Sequence, residues 1–521
     1  MNRKNKYITL AAIALSFCVS SCDNYLDTLP DNRMEIKDAD QVSKLLVSAY
    51  SQANPAYLLE MYSDNSDEII NTGWTSAGQF QQQAYDWDDI TDVSENESPQ
   101  QLWNSYYTAT SSANQALQYI EQHPDENLSA QKGEALLCRA YNAFMLANVF
   151  CMAYDETTAS TALGLPYPTE PETKVGTTYQ RGTLAELYSK IDADIQQGIK
   201  LVNDNYSQPK FHFTKNAAYA FAARFYLYYH KYDKAEAYAT KVIGNNPASR
   251  LRDWAALNKL SANDYIQPQE YVNSSLNCNL LLQVAYSSWG AINGPYLYGD
   301  RYAHGALISS TETLQANGPW GNSSQMNYSV WHNSSLSKYM LRKLCYSFEY
   351  TDIQTGSGYP HGEYSVFNTD ETLLVRAEAR ALQHNYEGAL DDINAELSKF
   401  HSASPKLTID GIRNFYSGIN YYTPTEPTPK KQFHTSFAIE EDTEEPMLQC
   451  ILQLRRLVTM HEGLRMQDVK RYGIVIYRRQ VDASQNVLQV TDEMRTNDPR
   501  RAVQLPQDVI NAGLKPNPRT L

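Results

Sequence analysis

Apolar residues recur every three or four positions along most of this chain, which is the spacing of a helix with one buried face. The alternation of apolar and polar residues that marks a half-buried strand is short and scattered, as at 279–286 and 473–479. The pattern therefore predicts a mostly α protein with a few short strands. The predicted helices cover residues 39–52, 100–122, 130–152, 183–203, 214–230, 231–245, 371–384, 386–399 and 448–471.

The first 21 residues have a different pattern from the rest of the chain. A basic start is followed by an apolar stretch over 7–19 and by small residues up to Cys22, which is typical of an export signal. This apolar stretch is too short to span a bilayer, which takes about 20 residues. The sequence Val-Ser-Ser-Cys resembles the lipobox of bacterial lipoproteins, which implies that residues 1–21 are a lipoprotein signal peptide and that Cys22 is the lipid anchor. A plain cleaved signal and a buried N-terminal helix are the alternatives.

Two helical hairpins resemble the 34-residue tetratricopeptide repeat. The first spans 216–247 and has alanines at 223 and 235, where that repeat needs small residues so that its two helices can approach closely. Ala377 and Ala389 repeat the same spacing in a second, weaker copy. Two ordinary amphipathic hairpins are the alternative. We expect these hairpins to belong to one helical scaffold that covers residues of about 39–250 and 366–400.

A different composition separates the two hairpins. Residues from about 251 to 365 are rich in Gly, Ser, Asn, Tyr and Trp, and disordered segments are poor in aromatic residues. We therefore expect ordered, loop-rich structure here, mounted on the helices and available for ligand binding. A C-terminal helix and tail follow at about 446–521, and residues 22–521 are interpreted as one domain.

Charge and cysteine content exclude several classes of protein. Without residues 1–21 the chain has 41 Lys and Arg against 59 Asp and Glu, a net charge of −18, and it has no basic stripe that would bind nucleic acid. The cysteines after Cys22 are odd in number and form no CxxC pair, so neither a disulfide framework nor a zinc site is expected. We expect buried free thiols instead.

No catalytic motif stands out. The chain has no HExxH, GxSxG, phosphate-binding loop or dinucleotide-binding glycine pattern. Pairs of carboxylates for glycoside cleavage depend on three-dimensional spacing, so the sequence leaves that possibility open. The acidic segment 86–92 lacks the central glycine of a calcium-binding EF-hand loop, and a solvated loop is expected there. We predict a binding protein rather than an enzyme, with no cofactor and no metal.

Four groups of residues, spread over nearly the whole chain, occur in a characteristic order. They are Tyr25, Leu26, Asp27 and Pro30 after the lipobox; Trp103, Tyr106, Ala113, Asn114 and Leu117 in one early helix; Glu134, Ala135, Arg139 and Ala140 in the next; and Glu462, Gly463, Arg465, Asp468 and Arg471 near the C-terminus. This order resembles that of the SusD/RagB family of outer-membrane nutrient-binding lipoproteins. The segment 368–371 and residues Leu454 and Val458 depart from the family pattern, which indicates a divergent branch and leaves the ligand open.

The resemblance implies a location and a partner. Family members lie on the outer face of the outer membrane of Bacteroidetes, over a TonB-dependent barrel of the SusC kind, which imports what they capture. Most known ligands of the family are glycans and some are peptides.

A glycan site needs flat aromatic rings for the apolar face of a sugar and short polar side chains for its hydroxyls. Aromatic residues with Gly, Ser, Thr and Asn neighbours fit this description, and they cluster in the loop-rich region. Trp103 and Trp254 fall on or near helices, so we expect both in the core, and a structural role is favoured for Trp87. The predicted ligand-binding residues are Trp74, Tyr286, Trp289, Tyr296, Tyr298, Trp320 and Trp331.

Two functions from different classes follow. The favoured one is a surface glycan- or oligosaccharide-binding lipoprotein that feeds a SusC-like transporter. The other is a tetratricopeptide-like scaffold for protein partners, in which the loop aromatics only pack. A peptide-binding member of the family lies between them.

Overall fold

Helices dominate the computed structural model, which describes residues 38–70, 78–172, 179–263, 265–292 and 301–520. The mostly α architecture predicted from the sequence is confirmed. The helices of the described residues are α1 Ala39–Val47, α2 Ala56–Tyr62, α3 Gln79–Tyr85, α4 Pro99–Gln122, α5 Ser129–Phe150, α6 Leu184–Leu201, α7 Lys215–Tyr228, α8 Tyr232–Ile243, α9 Trp254–Lys259, α10 Ile266–Tyr271, α11 Trp289–Ile292, α12 Ala306–Thr311, α13 Thr369–Ala381, α14 Tyr386–Phe400, α15 Ile409–Ser417, α16 Glu444–Val458, α17 Arg465–Arg471 and α18 Gln507–Asn511.

The two predicted hairpins form and stack on each other. Helix α8 of the first hairpin packs against α13 of the second, although the two are distant in sequence. The four alanines that predicted close helix packing are all fully buried. Polar contacts reinforce the stack, because Arg380 on α13 donates to Glu236 on α8 at 2.8 Å. Helices α4, α5 and α6 continue the array on the α7 side.

Three small sheets lie in the described chain. Their strands are β1 Asp67–Ile69, β2 Asn279–Tyr286, β3 Tyr302–Ala303, β4 Val330–Asn333, β5 Lys338–Leu341, β6 Cys345–Asp352, β7 Ser357–Asn368, β8 Ile476–Val481 and β9 Val487–Met494. The first sheet has the order β3-β1-β8-β9, the second β2-β7-β6, and the third is the pair β4-β5. Within the first sheet, β1 pairs antiparallel with β3 and parallel with β8.

The prediction of one helix over 448–471 is wrong. Helix α16 ends at Val458 and α17 begins at Arg465. Gly463, between them, has φ +73°, and a Cβ at this position would lie 2.8 Å from the Cα of Ala56 on α2. Glycine is therefore required both by the backbone conformation and by the close approach to α2.

The residues that resemble the family's C-terminal motif form buried ion pairs. Arg465 makes a bidentate pair with Asp64, at 2.7 and 2.8 Å. Burial alone would raise the pKa of Asp64, but Arg456 and Arg465 outweigh it and hold that pKa well below its usual value. Arg471 pairs in the same way with Glu378, at 2.6 Å. These motif residues therefore stabilise the scaffold.

The described residues contain neither a disulfide nor a cluster of metal-binding side chains. The five cysteines among them are buried and free, as predicted. No cluster of His, Cys, Asp or Glu in the described chain is suited to hold a metal ion. None of the described helices combines the length and apolar content needed to cross a bilayer.

Glu97 is a buried carboxylate that forms no ion pair with any described residue. Glu97, just before α4, is fully buried, and neither of its carboxylate oxygens accepts a hydrogen bond. Burial raises its pKa to about 8, with the nearby Ser287 hydroxyl acting in the opposite direction. The folded protein therefore holds Glu97 in its protonated, neutral form at neutral pH.

This makes stability depend on pH. Because the folded pKa lies above the ordinary value of 4.5, the contribution of Glu97 is complete below that value and is lost as the pH rises through 8. Each pKa unit corresponds to about 1.4 kcal/mol, so we expect Glu97→Gln to be about 1–3 kcal/mol more stable than wild type at pH 9 and closer to it at pH 5. Urea unfolding at both pH values measures this. Glu387→Gln, at an exposed position, is the control, and an equal effect of both variants would contradict the assignment.

Candidate functional site

The predicted ligand-binding residues do not form one site among the described residues. Trp74, Tyr296 and Tyr298 lie outside them, as does Cys22. Among the described residues near those stretches, the Ile69 amide donates to the Arg301 carbonyl at 2.7 Å.

The three predicted indoles that the structure describes are buried, so the prediction of exposed platforms is wrong for them. Trp289, Trp320 and Trp331 are 1%, 4% and 4% exposed. Trp289 stacks on Tyr57, with ring centroids 4.7 Å apart. The ring of Trp320 lies against Gly318, where a Cβ would come within 2.3 Å of it. Trp289 begins α11 and Trp331 lies on β4, so neither is part of a loop, and none of the three indoles offers a free face.

Tyr286 keeps a partly exposed ring at the end of β2. It lies opposite His361 of β7, with ring centroids 4.7 Å apart, and Tyr359 is 5.5 Å away. His361 is in turn 3.0 Å from the Glu349 carboxylate. The paired strands thus present two aromatic rings, of which Tyr359 is exposed and Tyr286 partly buried.

Two of the three tryptophans with a predicted structural role, Trp87 and Trp254, are buried, as expected. The Trp87 indole N–H donates to the Tyr62 carbonyl at 2.9 Å, and the Trp254 indole N–H donates to Asp370 at 2.8 Å. Trp103, which we expected in the core, is only half-buried.

Trp103 instead lines a cavity of about 270 Å³ between α4, the segment 166–172 and the C-terminal tail. Helix α4 presents Trp103, Tyr107, Ser111 and Asn114 to it. Their spacing of four, four and three residues places them on one face of the helix. Each position is therefore set by the sequence register of α4.

Two aromatic rings form the floor of this cavity. The Trp103 and Tyr107 rings lie 4.7 Å apart at 50° to each other. Phe150, at the end of α5, supports the indole from behind at 5.5 Å. The Tyr107 hydroxyl donates to the Pro166 carbonyl at 2.9 Å, which fixes the ring, and burial raises its pKa so that it stays neutral.

Hydrogen bonds hold the walls in place. Asn114 donates to the Pro168 carbonyl at 3.0 Å and accepts from Arg139 at 3.0 Å. Arg139 is itself anchored by Asp194 at 2.7 and 3.0 Å. On the other side, Arg181 binds the Asn517 side chain at 2.7 Å and keeps the C-terminal tail against the body. The cavity is therefore largely preformed.

The polar groups of the cavity are acidic or neutral. Glu170 and Glu172 lie at its rim with Tyr179, and Val509, Ala512 and Leu514 close the apolar side. Burial raises the pKa of Tyr179, and the negative charge of Glu172 raises it further. Among the described lining residues there is no basic side chain. The described lining therefore places aromatic rings beside carboxylates and neutral polar groups.

This cavity was not predicted, because Trp103 was assigned to the core without regard to the other residues on its face of α4. The useful signal was the mixed stripe on α4, where two aromatic residues share a helical face with Ser111 and Asn114. A stripe that faces only the core is uniformly apolar.

Two family models match the chain. One, described as "Starch-binding associating with outer membrane", matches residues 24–227, and the model of the SusD family matches residues 288–508. A comparison with curated protein sequences gives no match.

Solved structures with the same fold include three from Bacteroides species. A SusD superfamily protein from Bacteroides thetaiotaomicron is 20% identical, with a TM-score of 0.60 over 92% of this chain and 99% of its own. A SusD superfamily protein from Bacteroides vulgatus is 16% identical, with a TM-score of 0.61 over 92% and 97%. A SusD-like carbohydrate binding protein from the same species is 14% identical, with a TM-score of 0.56 over 92% and 97%. Since the two family models together cover most of its length, the chain belongs to the SusD/RagB family.

Proposed function

We propose that this protein is a cell-surface receptor for neutral glycans or oligosaccharides. The observation that carries the proposal is the preformed cavity on α4, in which two adjacent aromatic rings, tilted by 50°, lie beside hydroxyl, amide and carboxylate groups. The family model described as starch-binding supports it, as does the carbohydrate-binding relative.

The cavity would bind one or two sugar rings of a chain. Its volume of about 270 Å³ lies at the lower end of ligand pockets, which are usually about 300–1,000 Å³. The apolar C–H face of a sugar would lie on Trp103 and Tyr107, and its hydroxyls would meet Ser111, Glu170 and Glu172. If each stack contributes about 1–3 kcal/mol, as base stacking on aromatic rings does, the dissociation constant falls in the micromolar to millimolar range.

Charge selects against acidic sugars. A uronic acid in this cavity would place its carboxylate near Glu170 and Glu172, without a basic partner in the described lining. Like charges brought together in a partly desolvated site cost free energy. We therefore expect neutral polysaccharides to bind more tightly than acidic ones.

Anchoring and delivery complete the proposal. Acylation of Cys22 would hold the protein on the outer membrane, and a SusC-like TonB-dependent transporter would receive the captured glycan. Weak binding suits this task, because the cargo must be released to the transporter. Labelling with a radioactive fatty acid, lost in Cys22→Ala, tests the anchor.

Titration calorimetry with a panel of neutral polysaccharides, acidic polysaccharides and peptides tests the site. We expect Trp103→Ala and Tyr107→Ala each to weaken neutral-glycan binding tenfold or more, since a lost stack of about 1.4 kcal/mol is a factor of ten. Tyr350→Ala, which removes an exposed ring on β6, is the matched control and should bind as wild type does. Circular dichroism verifies that each variant is folded.

The same titrations separate the alternatives. Binding that survives in both cavity variants but is lost in Trp74→Ala, or in a joint replacement of Tyr296 and Tyr298 by alanine, would move the glycan site to those residues. Binding of peptides alone would favour a peptide receptor. Binding of no small ligand would leave the protein-scaffold function.

A further inference from the structure

A second groove, lined mainly by amide and hydroxyl side chains, lies away from the aromatic cavity. It has a volume of about 590 Å³ and is bounded by α1, the start of α5 and the loop between α6 and α7. The polar residues that line it include Asn127, Ser129, Gln131, Asn203, Asn205 and Ser207. Short amides and hydroxyls provide both donors and acceptors, as a ligand rich in hydroxyl groups requires.

One wall of this groove carries a supported aromatic ring. Tyr206 is half-buried and stacks in parallel on His212, with ring centroids 4.4 Å apart and 8° between the planes. His212 is fixed from below, because its Nδ1 lies 2.7 Å from the buried Glu134 carboxylate, which also accepts from Tyr50 at 2.7 Å. His212 covers one face of Tyr206, so its accessible surface lies on the opposite face and the edge. This is a rigid platform with little ordering cost on binding.

The charged groups of the groove already have partners. Glu134 is held by Tyr50 and His212, and Lys44 pairs with Asp40 at 2.5 Å. A cationic ligand would have to compete with Tyr50 and His212 for the buried Glu134, and an anionic one would find only the solvent-exposed Lys44, whereas a neutral ligand disturbs neither. The combination of a flat ring, amides and balanced charge therefore favours a neutral saccharide.

The groove and the aromatic cavity lie at opposite ends of α5. Ser129 and Glu134 reach the groove from its first turns, and Phe150, its last residue, contacts Trp103 in the cavity. A helix of 22 residues is about 33 Å long at 1.5 Å per residue. A saccharide must therefore span about this distance to contact both places, while a shorter oligosaccharide occupies only one.

We propose that the groove at Tyr206 is a second binding site for neutral saccharides, and that it increases the affinity for long chains. This inference rests on the proposed function of the Trp103 cavity. Two linked weak contacts bind more tightly than either alone, because the second becomes intramolecular once the first has formed. The effect should therefore depend on the length of the glycan.

The test compares a neutral polysaccharide that binds the wild-type protein with a short oligosaccharide of the same sugar. We expect Tyr206→Ala to weaken polysaccharide binding at least fivefold and oligosaccharide binding less than twofold. Tyr206→Phe keeps the ring and should bind as wild type does. Asn127→Ala, at an exposed position of the groove, is the second variant if Tyr206→Ala does not fold, and it should weaken the polysaccharide in the same direction.

The binding of these variants distinguishes the second site from the proposed function of the aromatic cavity. Polysaccharide binding that depends on Trp103 and is unchanged in folded Tyr206→Ala and Asn127→Ala would overturn the second site and leave the proposed function standing. Failure of wild type to bind any neutral glycan would overturn both. Residual polysaccharide binding in Trp103→Ala that disappears when Tyr206→Ala is added would support the second site directly.

Discussion

Replacing Trp289 with alanine is expected to lower the free energy of unfolding by about 3–5 kcal/mol, as large-to-small substitutions of buried aromatic residues do. The indole is fully buried and stacks on Tyr57. Its N–H donates to the His461 carbonyl at 3.1 Å, so alanine would also leave that acceptor without its donor. Urea unfolding followed by far-ultraviolet circular dichroism measures the loss.

The same variant separates burial from ligand binding. Since Trp289 offers no free face, the fraction that remains folded at low temperature should bind neutral glycan with wild-type affinity. Tyr350→Ala is the control, and as a surface substitution it should change stability by no more than about 0.5 kcal/mol. A Trp289→Ala protein of normal stability that no longer binds glycan would show that the indole faces the ligand.

The helical scaffold was predictable because its signals are local. Alanines twelve residues apart, as at 223 and 235, report close packing inside a hairpin without any knowledge of the rest of the chain. The boundaries follow from capping chemistry, as where Thr183 and Glu186 form a capping box at the start of α6. The stacking of α8 on α13 then joins elements that the sequence separates.

The long hairpin β6–β7 was missed because its strands depend on partners. Residues 345–368 contain three glycines and a proline, which disfavour a strand from sequence alone. The register explains why they are tolerated: Gly358 lies against the carbonyl of Glu349 on β6, where a side chain would not fit. Such a constraint appears only once the two strands are paired.

The binding site was only partly predictable, for a related reason. Gly, Ser and Asn around a tryptophan indicate a loop, but they do not show whether the loop lies over the core or away from it. Trp289, Trp320 and Trp331 all have such neighbours, yet Trp289 begins α11, Trp331 lies on β4 and all three are buried. Trp103 lies on a helix and yet reaches a cavity, because segments distant in sequence form the other walls.

The charged residues near the C-terminus include Asp468 of the family motif and its ion-pair partner Arg455. Conspicuous charges often mark a binding site, but here they lie in the interior. Arg455 is fully buried and donates to Glu371 at 2.9 Å and to Asp468 at 3.2 Å. Burial alone would raise the pKa of Glu371, but Arg224 and Arg455 outweigh it and the pKa is lowered. These pairs connect α7, α13, α16 and α17.

Replacing Arg455 with methionine is therefore expected to lower the free energy of unfolding by about 3–5 kcal/mol, the usual cost of removing one partner from a buried ion pair. Methionine fills most of the volume but leaves two carboxylates with less positive charge around them. The pKa of Glu371, which Arg224 and Arg455 lower in the wild type, should rise, so its protonation can relieve part of the cost at low pH. We expect the loss in stability to be larger at pH 8 than at pH 5, measured by urea unfolding at both values.

Lys44→Met is the control for charge removal, because the pair of Lys44 with Asp40 on α1 is exposed to solvent and should contribute nothing measurable. Glycan affinity of folded Arg455→Met should equal that of wild type, since Arg455 contacts neither the aromatic cavity nor the Tyr206 groove. A normal unfolding midpoint together with weakened glycan binding would contradict this interpretation and show that Arg455 acts in ligand binding. A lowered midpoint with unchanged affinity would assign this residue to the scaffold that holds the cavity open.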